Sequence, residues 1–211
     1  MRIGVVGAGR IGGNLARLLT QAGHHVVISY ARDDGELRAR AAEFGCGTGS
    51  VAEAAAFGDV VVLSVPWLNI DAVLAEAGSL AGKVVIDTTN HFTPTGLAGG
   101  LRDRTTAQAN QARMPGTRLV KAYNTLTAGF QAAAAGRTGP DRGVMFLCGD
   151  DEAAKAIVGG LITDTGFTPF DVGRLADGAV MEAPRRPGAV YGEEFSEAGA
   201  QGFFDGRRSA G

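Results

Sequence analysis

The sequence has few of the residues that support disulfide-bonded, zinc-binding or membrane-spanning folds. Cysteine occurs twice, at Cys46 and Cys148, with no C-x-x-C pair and no histidine-rich partner motif, which argues against a disulfide framework and a zinc site. No apolar run approaches the ~20 residues of a membrane span, and the run before Arg10 is too short for a signal peptide. These absences predict a cytoplasmic protein without a metal or membrane partner.

An excess of charge of one sign is also missing. The chain of 211 residues has 20 basic and 22 acidic side chains, so its net charge at neutral pH is only -2. A basic surface of the kind that binds nucleic acid is therefore not expected. Glycine, by contrast, fills 33 positions, more than twice its usual share of about 7%. This abundance predicts tight turns or close approaches between the backbone and a ligand.

Short apolar runs rich in valine and isoleucine alternate with segments of helical length. The predicted strands are 3–6, 26–29, 60–65, 84–86, 118–122, 144–147 and 168–172. The predicted helices are 11–22, 35–44, 68–77, 100–112, 125–136 and 151–165. Continuous apolar strands that alternate with helices are typical of an α/β doubly wound fold with a mostly parallel sheet.

A glycine-rich motif follows the first predicted strand and opens the first predicted helix. Gly7 would allow a tight turn, Gly9 the close approach of a pyrophosphate to the helix N-terminus, and Gly12 close packing of helix on strand. The motif matches G-x-G-x-x-G in the context that dinucleotide binding needs. It predicts a pyrophosphate site formed by Gly7, Ala8, Gly9, Arg10, Ile11 and Gly12.

The end of the second predicted strand distinguishes the two nicotinamide dinucleotides. An acid at this place binds the ribose 2′-hydroxyl, whereas a basic residue accommodates a 2′-phosphate. Ser29 and Arg32 are suited to hold a phosphate, and no acid lies within the strand end. The sequence therefore favours NADP(H), and the nearby Asp33 keeps NAD as the alternative.

Several separated motifs resemble one family. They are GVVGAGRIGGNLA, DVVVLSVPW, VVIDTTN, LVKAYNT, LCGDDEAAKAIVGGLITDTGF and FDVGRLADG, in this order over most of residues 3–178. Together they are similar to the dinucleotide-binding oxidoreductases related to F-420-dependent NADP oxidoreductase, which also resemble the reductase domain of STEAP metalloreductases. The resemblance implies a Rossmann domain that exchanges hydride between NADP(H) and a deazaflavin, and a homodimer.

The same resemblance implies roles for residues around the cofactor. Arg32 would face the 2′-phosphate. Val65, Pro66 and Trp67 would line the track from the adenosine to the nicotinamide.

Polar residues follow two of the predicted strands, at the edge where α/β sheets bind ligands. His91 is a candidate donor of the proton that accompanies hydride addition to C=O or C=N, or else a solvated loop residue. Lys121 is expected to do one of three things: bind an anionic substrate, act as an acid, or lie on the surface as an ordinary lysine. Asn124 binds a substrate oxygen or caps the next helix, and Asn90 contacts nicotinamide or fixes its loop.

The regular pattern ends near residue 180. The chain is predicted to form an NADP-binding Rossmann-type domain over 1–180, with a small C-terminal extension over 181–211. Prolines and glycines predict irregular structure in this extension, which would close the substrate pocket or contact a second copy of the chain. Residues 205–211 are expected to be loose.

Three functions are compatible with these patterns. The sequence favours an NADP(H)-dependent oxidoreductase whose second substrate is the deazaflavin F-420. An NADPH-dependent reductase of a small carbonyl or imine metabolite is the first alternative. A non-enzymatic NADP(H) sensor is the second.

Overall fold

One eight-stranded sheet organises the chain. The computed structural model describes residues 1–29, 33–101 and 103–209. The strands of the sheet are β1 (Arg2–Val6), β2 (His25–Ser29), β3 (Gly47–Thr48), β4 (Val60–Leu63), β5 (Val84–Asp87), β8 (Arg118–Ala122), β9 (Val144–Gly149) and β10 (Thr168–Asp171). Two further strands, β6 (Phe92–Thr93) and β7 (Gly96–Leu97), form a separate antiparallel hairpin.

Helices connect these strands. They are α1 (Arg10–Gln21), α2 (Asp34–Phe44), α3 (Val51–Phe57), α4 (Ile70–Ala77), α5 (Thr106–Arg113), α6 (Ala128–Ala134), α7 (Glu152–Asp164) and α8 (Glu197–Ser209). Shorter 3-10 turns span Trp67–Asn69, Gly139–Asp141 and Leu175–Met181.

The order of the strands is β10-β9-β8-β5-β4-β1-β2-β3. All neighbours pair in parallel except β8 and β9, which are antiparallel. The predicted doubly wound, mostly parallel α/β fold is thus confirmed. The chain moves outward from β1 to β3 and then returns to β4 on the other side of β1, so the strand order reverses there. Ligands of such sheets bind beyond the carboxyl ends of the strands at this reversal.

Both faces of the sheet are covered, which explains why its strands are continuously apolar. In β4, Val60 and Val62 belong to the core on the α1 face, whereas Val61 and Leu63 belong to the core on the α4 face. All four side chains are buried. A parallel strand with helices on both sides shows this pattern.

Helix α3 was not among the helices predicted from the sequence. It follows the short strand β3. The helix then starts at Ser50, whose side chain accepts the amide of Glu53, while the Glu53 carboxylate accepts the amide of Ser50. A Cβ at Gly4 of β1 would overlap the carbonyl oxygen of Ala54, so glycine lets this helix pack tightly on the sheet.

The C-terminal segment contains a helix where irregular structure was predicted. Helix α8 includes residues 205–209, which were expected to be loose. Its Phe204 packs with Phe146 of β9 and Phe170 of β10, with ring centroids of Phe170 and Phe204 5.1 Å apart, and Phe203 meets the ring of Phe204 edge-on. This tertiary packing outweighs the low helix propensity of the glycines in the segment. The division into 1–180 and 181–211 stays a prediction.

The described residues include neither a helix able to span a membrane nor a cluster of metal ligands. Within 1–29, 33–101 and 103–209, no helix has the length and hydropathy needed to cross a membrane. The same ranges contain no group of three or more His, Cys, Asp or Glu side chains placed to hold a metal ion.

Candidate dinucleotide and substrate site

The glycine motif lies where β1 meets α1, at the reversal of the strand order. Gly7 has a φ of 107°, and a Cβ there would overlap the carbonyl oxygen of Ser64. A Cβ at Gly12 would overlap the carbonyl oxygen of Gly7, whereas a Cβ at Gly9 would meet nothing within 4 Å. The loop itself therefore requires Gly7 and Gly12, while Gly9 leaves open space at the start of α1.

Helix α1 begins without a side-chain cap. Its N-cap is Gly9, and its first turn contains no acidic residue. In contrast, a side chain caps the start of α2, α3, α5, α6 and α7. The first amides of a helix need hydrogen-bond acceptors, and the positive end of the helix dipole favours an anion. The start of α1 therefore fits the pyrophosphate of a dinucleotide.

Two arginines flank this loop. Arg10 is exposed at the first position of α1, and its side chain forms no hydrogen bond or ion pair with the described residues. A cation at the positive end of a helix is unfavourable unless an anion accompanies it. Arg40 of α2 donates from Nη1 to the carbonyl oxygen of Ala8 and from Nη2 to Glu36, both at 2.6 Å. Arg40 was not anticipated, since its only signal in the sequence is the i,i+4 spacing from Glu36.

Of the two residues predicted to hold a 2′-phosphate, the structure describes only Ser29. Ser29 is fully buried, and its hydroxyl donates to the carbonyl oxygen of Val5 at 3.3 Å. Its own carbonyl accepts the amides of Gly7 and Ala8. Ser29 therefore shapes the loop from below and does not offer its hydroxyl to a phosphate, which corrects the prediction. Arg32 lies outside the described residues.

The segment after β4 leads into the first 3-10 turn. Val65 and Trp67 are buried and Pro66 is exposed. The ring of Trp67 lies 4.3 Å from the guanidinium carbon of Arg113 and meets the ring of His91 edge-on at 6.2 Å between centroids. Trp67 thus connects α5 with the loop that follows β5.

Lys121 lies in a buried ion pair. The side chains of Lys121 and Asp87 are both 0% exposed, and Nζ lies 3.1 Å from Oδ2. Nζ also donates to the carbonyl oxygen of Thr89 at 2.7 Å, while Asp87 accepts hydrogen bonds from Thr89 and Asn110. Lys121 is therefore neither a surface residue nor a direct ligand of a substrate, because it is enclosed. It fixes the end of β5 instead.

His91 follows this network and is 9% exposed, with no hydrogen-bond partner at its buried Nδ1. Burial lowers its pKa below the ordinary value of 6.5; the negative charge of Glu182 opposes this change and the positive charge of Lys121 adds to it. The ring is therefore mostly neutral at pH 7. The alternative of a solvated loop histidine is wrong, because the ring is buried.

A strained residue precedes Asn124. Tyr123 has a φ of 59°, in the left-handed region, which costs a non-glycine residue about 1 kcal/mol or more. Its hydroxyl shares a 2.8 Å hydrogen bond with Thr165, and its carbonyl oxygen accepts a hydrogen bond from Gln131 Nε2 at 3.0 Å. These contacts hold the turn that brings Asn124 to the end of β8.

Asn124 and Asn90 bind one another across the strand ends. Asn90 Nδ2 donates to the carbonyl oxygen of Asn124 at 2.9 Å, and Asn124 Nδ2 donates to the carbonyl oxygen of Met181 at 2.6 Å. Asn124 does not cap α6, because Thr127 does. Its Oδ1 is buried without a hydrogen-bond partner, which is a rare arrangement for a polar atom.

Glu182 is a residue of this region that the sequence did not single out. It is 5% exposed, and its carboxylate accepts the amides of Thr106 and Ala107 at 2.9 and 3.0 Å. An anion is stabilised at this position, the start of α5. No pattern could reveal the contact, because Glu182 lies in a segment without helical or strand periodicity and its partners precede it by about 75 residues.

Residues 2–91 match the family model described as NADP oxidoreductase coenzyme F420-dependent. The predicted family resemblance is confirmed. The match includes the glycine loop and β1 to β5, and it ends at His91. Lys121, Asn124 and Glu182 lie beyond it.

Solved structures support the same assignment. A hypothetical protein from Sinorhizobium meliloti is 29% identical with a TM-score of 0.82, over 93% of this chain and 96% of that chain. A protein from Arthrobacter sp. FB24, provisionally named an F420-dependent NADP-reductase, is 29% identical with a TM-score of 0.71, over 85% of this chain and 88% of that chain. A reductive aminase from Aspergillus terreus, 20% identical with a TM-score of 0.61, shares the fold.

Among curated proteins, the chain is similar to Metalloreductase STEAP3 of Rattus norvegicus, with 29% identity over 185 residues. The match covers 86% of this chain and 36% of that protein, so the chain spans about a third of the length of this relative. Together, the family model and the relatives confirm the predicted resemblance to NADP-dependent oxidoreductases.

Proposed function

We propose that this chain is an NADP(H)-dependent oxidoreductase whose glycine loop binds the pyrophosphate of the cofactor. The observation that carries the proposal is the start of α1, which has no side-chain cap, open space at Gly9 and an unpaired Arg10. The bound nicotinamide supplies or accepts the hydride. The residues at the ends of β5 and β8 position the second substrate and exclude water.

The charges around the loop favour NADP(H) over NAD. Arg10 brings an unpaired positive charge to this region, whereas the charge of Arg40 is compensated by Glu36, and Arg32 is proposed to face the 2′-phosphate. The nearby acid, Asp33, is engaged as the cap of α2, where its Oδ1 accepts the amide of Glu36 at 2.9 Å. We expect calorimetry to give tighter binding of NADPH than of NADH, and equal binding of the two would contradict the preference.

The state of His91 favours F-420, a deazaflavin, as the second substrate. Because burial lowers its pKa, the His91 ring is mostly uncharged at pH 7 and is not a ready source of the imidazolium proton. Lys121, the other candidate acid, is enclosed in its ion pair with Asp87. Hydride addition to a deazaflavin needs little general acid catalysis, whereas reduction of a carbonyl or imine needs a proton donor. The site thus supports an acceptor that takes no proton from the protein.

A reductase of a small carbonyl or imine is the second candidate, and two unpartnered atoms favour it. His91 Nδ1 and Asn124 Oδ1 are buried without hydrogen bonds. Leaving such groups unpaired is costly, so a polar substrate that bonds to them would gain affinity. In this function His91 donates a hydrogen bond or a proton to the substrate.

The test is NADPH oxidation by the purified protein, with oxidised F-420 or a small carbonyl or imine as acceptor and NADH as the cofactor control. We expect NADPH-specific reduction of F-420, largely retained in His91→Ala. Reduction of the small acceptors that falls roughly 10²-fold in His91→Ala would support the second candidate instead. NADPH binding without turnover of any acceptor would leave the sensor function. The homodimer and the cytoplasmic location stay predictions.

A further inference from the structure

A cavity of about 300 Å³ lies between the 3-10 turn after β4, residues 99–101 with Arg104, and α5. Its walls include Trp67, Leu101, Ala112 and Arg113. Apart from Trp67, none of its lining residues belongs to the proposed dinucleotide site.

We propose that this cavity binds a small organic anion with a flat apolar body, of the class of aromatic carboxylates. The cavity combines an indole and aliphatic side chains with the guanidinium groups of Arg104 and Arg113. The planar fork of arginine matches the geometry of a carboxylate, and its flat face stacks on aromatic rings.

Arg104 supplies the free charge. It is exposed, and its side chain forms no hydrogen bond or ion pair with the described part of the chain. All five of its N–H donors are therefore available to an anion. This unpaired positive charge gives the cavity a preference for an anion that a purely apolar cavity would not have.

Arg113 supplies a second, partly engaged charge. Its Nη1 donates to Asn110 Oδ1 at 2.9 Å, and its Nε lies 3.2 Å from Asp71 Oδ1. The side chain of Asp71 is 76% exposed, so this ion pair is screened by water and contributes little. A carboxylate in the cavity can therefore share or replace Asp71 as the partner of Arg113.

Room for the apolar body comes from small residues. A Cβ at Gly99 or Gly100 would meet nothing within 4 Å, so the backbone of this segment borders open space. Ala109 and Ala112 of α5 also line the cavity without filling it. The ring of Trp67, already 4.3 Å from the Arg113 guanidinium, forms the aromatic wall.

The experiment uses Trp67, the single tryptophan of the chain, as the reporter. Benzoate is titrated into the purified protein without cofactor, with benzamide as the uncharged probe, and tryptophan fluorescence is followed. We expect a saturable change with benzoate and binding of benzamide at least about tenfold weaker, because the charged hydrogen bonds are lost.

Variants separate the cavity from general charge effects. Arg104→Ala should weaken benzoate binding at least about tenfold, and Ala112→Phe should weaken it by filling the cavity. Arg38→Ala is the matched control, since Arg38 is another exposed arginine without a partner in the described residues, and it should bind benzoate like the parent.

Equal binding of benzoate and benzamide would overturn the proposal, and so would parent-like binding of benzoate by Arg104→Ala. A third contrary result combines two observations: saturating NADPH abolishes benzoate binding in calorimetry, and Arg104→Ala binds NADPH more weakly than the parent. The last result would make the cavity part of the dinucleotide site. The titration needs neither cofactor nor turnover, so it stands independently of the proposed oxidoreductase function.

Discussion

At the scale of single residues, the candidate site rests on charges held inside the protein. Asp87 ends β5 and Lys121 lies near the end of β8, and the strands are hydrogen-bonded neighbours that pair these two residues in register. Each charge compensates the other where water is absent, and Thr89 and Asn110 supply further hydrogen bonds. The pair therefore fixes the start of the loop that carries Asn90 and His91.

Removing one member of this pair should be severely destabilising. Lys121→Met leaves the Asp87 carboxylate buried and unpaired, and we expect a loss of about 3–5 kcal/mol in the free energy of unfolding. The double variant Lys121→Met, Asp87→Leu removes both charges and should recover much of that loss. Urea unfolding monitored by circular dichroism measures both values. A single variant that loses less than about 1 kcal/mol would show that Asp87 is compensated by other groups.

His91 should make the stability of the protein depend on pH. Because burial lowers its pKa in the folded state, the unfolded chain binds this proton more readily than the folded chain does. The contribution of His91 is therefore complete above pH 6.5 and is lost as the pH falls below that value towards the folded pKa. His91→Gln should reduce the pH dependence of the free energy of unfolding between about pH 5 and pH 7, the range in which an ordinary histidine titrates. An unchanged dependence in His91→Gln would contradict the assignment.

At the scale of secondary-structure elements, helix starts depend on what satisfies the first amides. Thr105 and Gln108 form a reciprocal cap at α5, and Thr127 caps α6. These caps explain why α5 starts at Thr106 and α6 at Ala128. The apolar patterns predicted that the two helices would begin earlier, at residues 100 and 125. The start of α1 has no side-chain cap, which fits the proposed pyrophosphate site.

Substitution by alanine should destabilise the protein at one glycine of the α1 loop and have almost no effect on stability at another. Gly12→Ala places a Cβ against the carbonyl oxygen of Gly7, so we expect a loss of about 3 kcal/mol or more in the free energy of unfolding. Gly9→Ala meets open space and has a negative φ of -74°, so its stability should stay within about 0.5 kcal/mol of the parent. Thermal unfolding of both variants tests the contrast. Equal losses would refute this account of the loop.

Some elements could be read from the sequence and others could not. The positions of β1, β4 and β5 followed from continuous apolar runs, and the start of α1 followed from the spacing of Gly7, Gly9 and Gly12. Helix α3 was missed because it has only seven residues and its capping signal at Ser50 stood beside glycines. Helix α8 was missed because its support is tertiary packing of aromatic rings, which local propensity does not contain.

At the scale of the whole molecule, the sheet brings distant residues together at one edge. The carboxyl ends of β1, β4, β5 and β8 meet there, and the C-terminal segment reaches the same edge through Met181 and Glu182. Sequence spacing located the strand ends and therefore His91 and Asn124. It could not reveal that Lys121 is enclosed, that Arg40 holds the loop at Ala8, or that Glu182 caps α5, because these contacts join separate elements.

The central claim is that the start of α1 is a binding site for NADP(H). The most direct test is calorimetric titration of NADPH into the parent protein and into Gly9→Ala, whose added methyl group occupies the open space above the helix. We predict saturable binding by the parent and an affinity at least about tenfold lower for the folded variant. No binding by the parent, or equal affinity in both proteins, would contradict the claim.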